Sequence, residues 1–97
     1  KLSFRGSEIG AEFALYQNEP NPFKGTTLIG YDLPAAGNVI LTVFDVTGKV
    51  VVVKEQESVK GYNTISVSSK DIPSVGVLYY RLDANEYTAT KKMIIIE

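Results

Sequence analysis

Val77-Leu78-Tyr79-Tyr80-Arg81-Leu82-Asp83-Ala84 and Tyr87-Thr88-Ala89-Thr90-Lys91-Lys92-Met93-Ile94-Ile95-Ile96 are separated only by Asn85-Glu86. Both arms are rich in β-branched and aromatic residues, and the polar pair between them is short enough to reverse an antiparallel hairpin. Period-two alternation places Leu78, Tyr80 and Leu82 on one face and Tyr79 and Arg81 on the other. Tyr79 and Tyr80 therefore face opposite ways, and core or cross-strand packing is the expectation for the tyrosines.

Upstream of this hairpin, Ser69 to Gly76 carries a turn, and Tyr62 to Ser68 alternates with Ile65 and Val67 inward. Glu55 to Lys60 is polar and reads as a loop after Val50-Val51-Val52-Val53. Asp45-Val46-Thr47-Gly48 predicts a tight turn, in which Asp45 accepts from backbone two residues on and Gly48 takes a positive φ. From Asn38 to Asp45 both faces carry apolar residues, which places that strand in the middle of a sheet. Thr26 to Leu33 sets Thr27, Ile29, Tyr31 and Leu33 on one face. Phe13 to Tyr16 runs into Pro20 and Pro22, which donate no N–H, so this segment suits an edge strand. About seven strands result, with no sustained helical spacing. The predicted fold is all-β, an Ig-like antiparallel β-sandwich of about seven strands over residues 13–97. Residues 1–12 show no period and read as a linker or a remnant of a preceding domain in a longer protein.

Composition narrows the chemistry. The 97 residues contain no His and no Cys, so imidazole bases, thiolate nucleophiles and the usual zinc ligands are missing. Lys and Arg number 10 against 11 Asp and Glu, which leaves no basic excess to neutralise phosphates and makes nucleic acid an unfavoured partner. No apolar run approaches the roughly 18–20 residues of a membrane-crossing helix. Asp32, Asp45, Asp71 and Asp83 are isolated near strand ends, a pattern of turn caps and not of a clustered calcium loop. Ser68-Ser69-Lys70 is too short a match for a lysine-activated nucleophile. The reading is therefore of a protein that is not an enzyme, with no cofactor and no metal. The Val50 to Val53 and Met93 to Ile96 runs are both assigned to central burial, although the second could serve a receptor as an extended strand.

Taken in order, Phe13 to Phe23, Thr27-Leu28-Ile29-Gly30-Tyr31-Asp32-Leu33-Pro34, Gly37 to Lys49, Gly76 to Leu82 and Thr90-Lys91-Lys92-Met93-Ile94-Ile95-Ile96 form a recognisable series. The series resembles the type A C-terminal sorting domain of cargo proteins of the type IX (Por) secretion system of Bacteroidetes. The resemblance implies an Ig-like sandwich that is read by an outer-membrane translocon. It also implies a sortase-like peptidase that cuts the domain off and attaches the cargo to the cell surface, here with cleavage before Phe13. By position, Lys91, Lys92, Met93, Ile94, Ile95 and Ile96 match the closing recognition motif. Asn21, Pro22, Phe23, Asp45, Gly48, Gly76 and Tyr80 match structural positions. Val75 is an extra residue relative to the usual motif and implies a longer or bulged turn, and Lys24-Gly25 departs from the usual sequence after Asn-Pro-Phe. The related FlgD-type module carries a Trp before its last hairpin, and this chain has none.

The resulting expectation is a secretion signal attached to a parent cargo protein and delivered through the periplasm and outer membrane to the surface or the medium. Recognition is expected through backbone pairing and apolar pockets for Met93 to Ile96, oriented by Lys91 and Lys92. The alternative is an accessory module binding polysaccharide or a protein through exposed tyrosines such as Tyr79 or Tyr87. A passive Ig-like spacer is the third reading.

Overall fold

The computed structural model describes residues 12–73 and 75–97. Its strands are β1 (Ala14–Leu15), β2 (Thr26–Leu33), β3 (Gly37–Asp45), β4 (Val50–Ser58), β5 (Gly61–Ser68), β6 (Gly76–Ala84) and β7 (Tyr87–Ile95), with one 3₁₀ turn at Ser69–Asp71. They form a three-stranded sheet in the order β1-β2-β5 and a four-stranded sheet in the order β4-β3-β6-β7, all antiparallel. This is the expected seven-stranded β-sandwich. The suggested linker and cleavage region lies, but for Glu12, outside the described residues, and so does Ser74 in the turn where Val75 is the extra residue.

Alternation builds the core. Ile29, Tyr31 and Leu33 of β2, with Ile65 and Val67 of the neighbouring β5, face Val39, Leu41 and Val43 of β3 and Leu78, Tyr80 and Leu82 of β6, all of them buried. Thr27 lies on the inner face of β2 as expected. β3 is central, paired on both sides, as its two apolar faces indicated. On its outer face Phe44 stacks on Tyr79, its partner in register, with ring centroids 5.8 Å apart. At the β3–β4 turn, Asp45 Oδ1 accepts from the Thr47 and Lys49 amides and from the Thr47 hydroxyl. Gly48 has φ +91°, and the Thr47 hydroxyl in particular holds the Asp45 carboxyl below its ordinary pKa.

Three expectations need correcting. First, Glu55 to Lys60 is not a loop, because β4 continues to Ser58 and reverses only at Val59 and Lys60. Its polar inward residues have partners across the gap between the sheets. Lys54 Nζ donates to the Ser66 carbonyl at 2.6 Å, Gln56 Nε2 donates to the Thr64 carbonyl at 3.0 Å, and the Ser58 and Tyr31 hydroxyls meet at 2.6 Å. Lys54 and Gln56 cap carbonyls of β5, the edge strand of its sheet, and Ser58 satisfies the buried Tyr31 hydroxyl of β2, so their polarity is structural.

Second, neither β4 nor β7 is central, for both are edges of the four-stranded sheet. Val50 and Val53 are more than half exposed, and only Val52 of that run is buried. The rule that apolar runs are core fails here because β-branched residues also suit a solvent-facing strand.

Third, of the four aspartates only Asp45 caps a turn through the side-chain bonds described. Asp32 accepts the Tyr16 hydroxyl from mid-sheet, Asp83 pairs with Arg81 on the same strand, and Asp71 ends the 3₁₀ turn that Ser68 caps. Both polar partners are side chains that a local reading of turn signals does not supply.

Candidate functional site

The last strand presents two different surfaces. Met93 is fully buried and Ile95 nearly so, pointing between the sheets, whereas Lys92 and Ile96 are exposed and Lys91 and Ile94 half-buried. Burying a side chain the size of Met or Ile contributes about 1.5–3 kcal/mol, so this strand is anchored through every second residue. As an edge it would also offer a row of unpaired backbone groups to any passing strand.

From Lys92 to Ile96 that row is already occupied. The segment Gln17 to Phe23 runs along the outer edge of β7 as a strap. Gln17 Nε2 donates to the Lys92 carbonyl at 2.6 Å, and the Ile94 amide donates to Asn21 Oδ1 at 2.9 Å. The Phe23 amide donates to the Ile94 carbonyl and the Ile96 amide to the Phe23 carbonyl, both at 2.9 Å, forming a parallel bridge between Phe23 and Ile95. Phe23 itself is buried. Strand addition along Lys92 to Ile96 would have to displace this strap, so the backbone-pairing mode does not fit the folded domain as it stands.

The strap is held from inside by Tyr80 of β6. The buried Tyr80 hydroxyl donates to the Tyr16 carbonyl at 2.7 Å and accepts from the Asn18 amide at 3.0 Å. Burial pushes its pKa up to about 12. Asn18, 1% exposed, donates through Nδ2 to Thr27 Oγ1 and the Pro20 carbonyl, while Gln17 Nε2 donates to Asn18 Oδ1. Thr27 Oγ1 in turn donates to the Pro20 carbonyl. Buried polar groups satisfied in this way specify one arrangement of the segment. Backbone without donors at Pro20 and Pro22 suits a strap whose bonds are made mainly by its side chains and by Phe23.

The structure brings the residues singled out from the sequence to one region of the four-stranded sheet. Asp45 lies across from Leu78 and Leu78 across from Met93, while Gly76, at φ +114°, pairs with Ile95 and Tyr80 with Lys91. Asn21 and Phe23 close the outer side, and Gly48 sits in the turn that follows Asp45. Gln17, Asn18 and Thr27 were missed as members of this set. The only local signal was a polar Gln-Asn pair directly after an apolar strand. Tyr79 and Tyr87, the candidates for a ligand platform, each have one ring face taken, by Phe44 and by Phe13 respectively. Among the described residues no three of His, Cys, Asp or Glu are grouped to hold a metal, and no helix is long and apolar enough to cross a membrane.

The sequence model of the secretion system C-terminal sorting domain family matches residues 19–96, from within the strap to the residue that closes it at Ile96. The chain belongs to this family. It is a sorting domain of type IX secretion, a class of signals that send proteins out of the cell or to its surface and that is in general non-catalytic. No curated protein matches the chain.

Proposed function

We propose that this sorting domain is read as a folded object, through the side chains that β7 and its strap present outward. The observation that carries this is the division of the tail: Met93 and Ile95 fill the core, Lys91 lies on their face across from the buried Tyr80, the backbone edge from Lys92 to Ile96 is bonded to Gln17, Asn21 and Phe23, and Lys92, Ile94 and Ile96 face away from the core with accessible surface. One cation, Lys92, beside the apolar side chains of Ile94 and Ile96 suits a partner surface with an acidic group bordering an apolar hollow. The partner in this reading is the outer-membrane translocon. The cargo precedes the domain, and a sortase-like peptidase acts before Phe13.

The test is a fluorescent reporter with a signal peptide, fused ahead of residues 1–97 in a bacterium that has the type IX system. The reporter reaches the surface or medium in the parent strain and stays in the periplasm in a strain lacking the translocon. The variant Lys92→Glu, altered only on the exposed face, reduces export several-fold. Export that survives loss of the translocon overturns the sorting role, and export unaffected by Lys92→Glu overturns the part given to that lysine.

A further inference from the structure

The outer face of the three-stranded sheet carries an open cleft of about 710 Å³ lined by Tyr16, Gln17, Glu19, Leu28, Tyr62 and Thr64, with Pro20 at its rim and Gly30 at its floor. Two tyrosine rings stand in it with centroids 6.1 Å apart and planes inclined by 50°, a V that leaves ring faces toward solvent; Tyr16 is 43% and Tyr62 63% exposed. The V is built, not accidental. Asp32 accepts the Tyr16 hydroxyl, and Asp32 is also the register partner of Tyr62 across the strand pair. The Tyr62 ring lies over Gly30, where a Cβ would come within 2.5 Å of its hydroxyl oxygen, so the absence of a side chain at residue 30 sets how deep that ring sits.

The chemistry of the walls selects a ligand. Glu19 contributes a carboxylate, Asp32 stands behind the Tyr16 hydroxyl, and among the described residues no lysine or arginine lines the cleft. Gln17 has committed its Nε2 to Asn18 and to Lys92, which leaves its carbonyl oxygen as the group to offer. The surface is thus aromatic, acceptor-rich and negative. A planar cation with many donors matches it: a guanidinium stacks on a tyrosine face and donates in its own plane to a carboxylate.

We propose that the Tyr16–Tyr62 cleft is a docking site for an arginine side chain of a partner polypeptide. The cleft shares Gln17, Glu19 and Pro20 with the strap but none of the tail residues Lys91 to Ile96, so binding at the cleft and export through the tail are tested separately. A lone arginine on an exposed aromatic pair binds weakly, with a Kd of about 10 mM.

The test is amide chemical-shift titration of the 97-residue chain with N-acetyl-arginine methylamide and, in parallel, its citrulline analogue, which has the same shape and no charge. The expected result is saturable shifts at Gln17, Leu28, Gly30, Tyr62 and Thr64 with the arginine probe only. Tyr62→Ala weakens binding by about 3–30-fold, Glu19→Gln weakens it by about 2–5-fold, and raised salt weakens it further. Equal binding of the citrulline probe overturns the proposal, as does no response to arginine at about 50 mM. Saturable binding of a neutral oligosaccharide in the same cleft, without an arginine response, overturns it in favour of a glycan site.

Discussion

The Ile94 amide donates to the Asn21 side-chain oxygen at 2.9 Å across 73 residues of sequence. With the two Phe23 backbone bonds that follow it, this contact closes the end of the β7 edge. The tail of the domain is thereby a rigid surface whose pattern of exposed side chains is fixed before any partner arrives.

Asn21→Ala removes the acceptor of the Ile94 amide while keeping the Phe23 bridge. The expected cost is about 1 kcal/mol in denaturant unfolding, within the usual range for one lost hydrogen bond. Hydrogen exchange at the Ile94 amide is expected to quicken more than exchange in β3, whose paired position is unaffected.

Tyr80 ties the strap to the core, and its hydroxyl titrates out of the ordinary range. Folding favours the neutral form, since the folded pKa is about 12 against an ordinary value of 10.0. Its stabilisation is complete below pH 10 and is lost as pH rises from about 10 to about 12, amounting to about 2–3 kcal/mol. Tyr80→Phe is expected to be less stable at neutral pH, because the Asn18 amide loses its buried acceptor. The gap between variant and parent then narrows above pH 10, as followed by urea unfolding at a series of pH values.

Lys54 and Gln56 cap the Ser66 and Thr64 carbonyls on the outer edge of β5. The double variant Lys54→Val with Gln56→Val uncovers that edge and lengthens the apolar run of β4. Self-association at concentrations where the parent is monodisperse is the expected outcome, read by sedimentation velocity.

Gly30→Ala introduces a Cβ against the Tyr62 ring but not against backbone. The ring is exposed and can swing away, so stability is expected to change by no more than about 1 kcal/mol. The Tyr62 ring resonances are expected to shift, which NMR detects directly.

Much of the sandwich was legible because each piece was local. Thr27, Ile29, Tyr31 and Leu33 announce one face of β2 by spacing alone, and Asp45 and Gly48 announce a turn by the conformations their side chains permit. The extension of β4 to Ser58 was not legible. Lys54, Gln56 and Ser58 point inward in breach of the usual pattern, and their partners belong to a different sheet. The edge positions of the valine run and of the tail were hidden for the same reason, since strand order is a property of the whole topology. In the candidate site both motifs, Asn21 to Phe23 and Lys91 to Ile96, could be picked out singly. Their contact could not, because it depends on a buried network through Asn18, Thr27 and Tyr80 that no spacing rule encodes.

Deleting the tail cannot separate recognition from folding, because Met93 and Ile95 would leave the core with it. The most direct measurement is export of the reporter fusion carrying Lys92→Glu, Ile94→Ser and Ile96→Ser together, with folding of the isolated variant domain verified by its unfolding curve. The account predicts a domain that still folds and a reporter retained in the periplasm. A folded variant exported as well as the parent would contradict the claim that the outward side chains of the tail are what the secretion machinery reads.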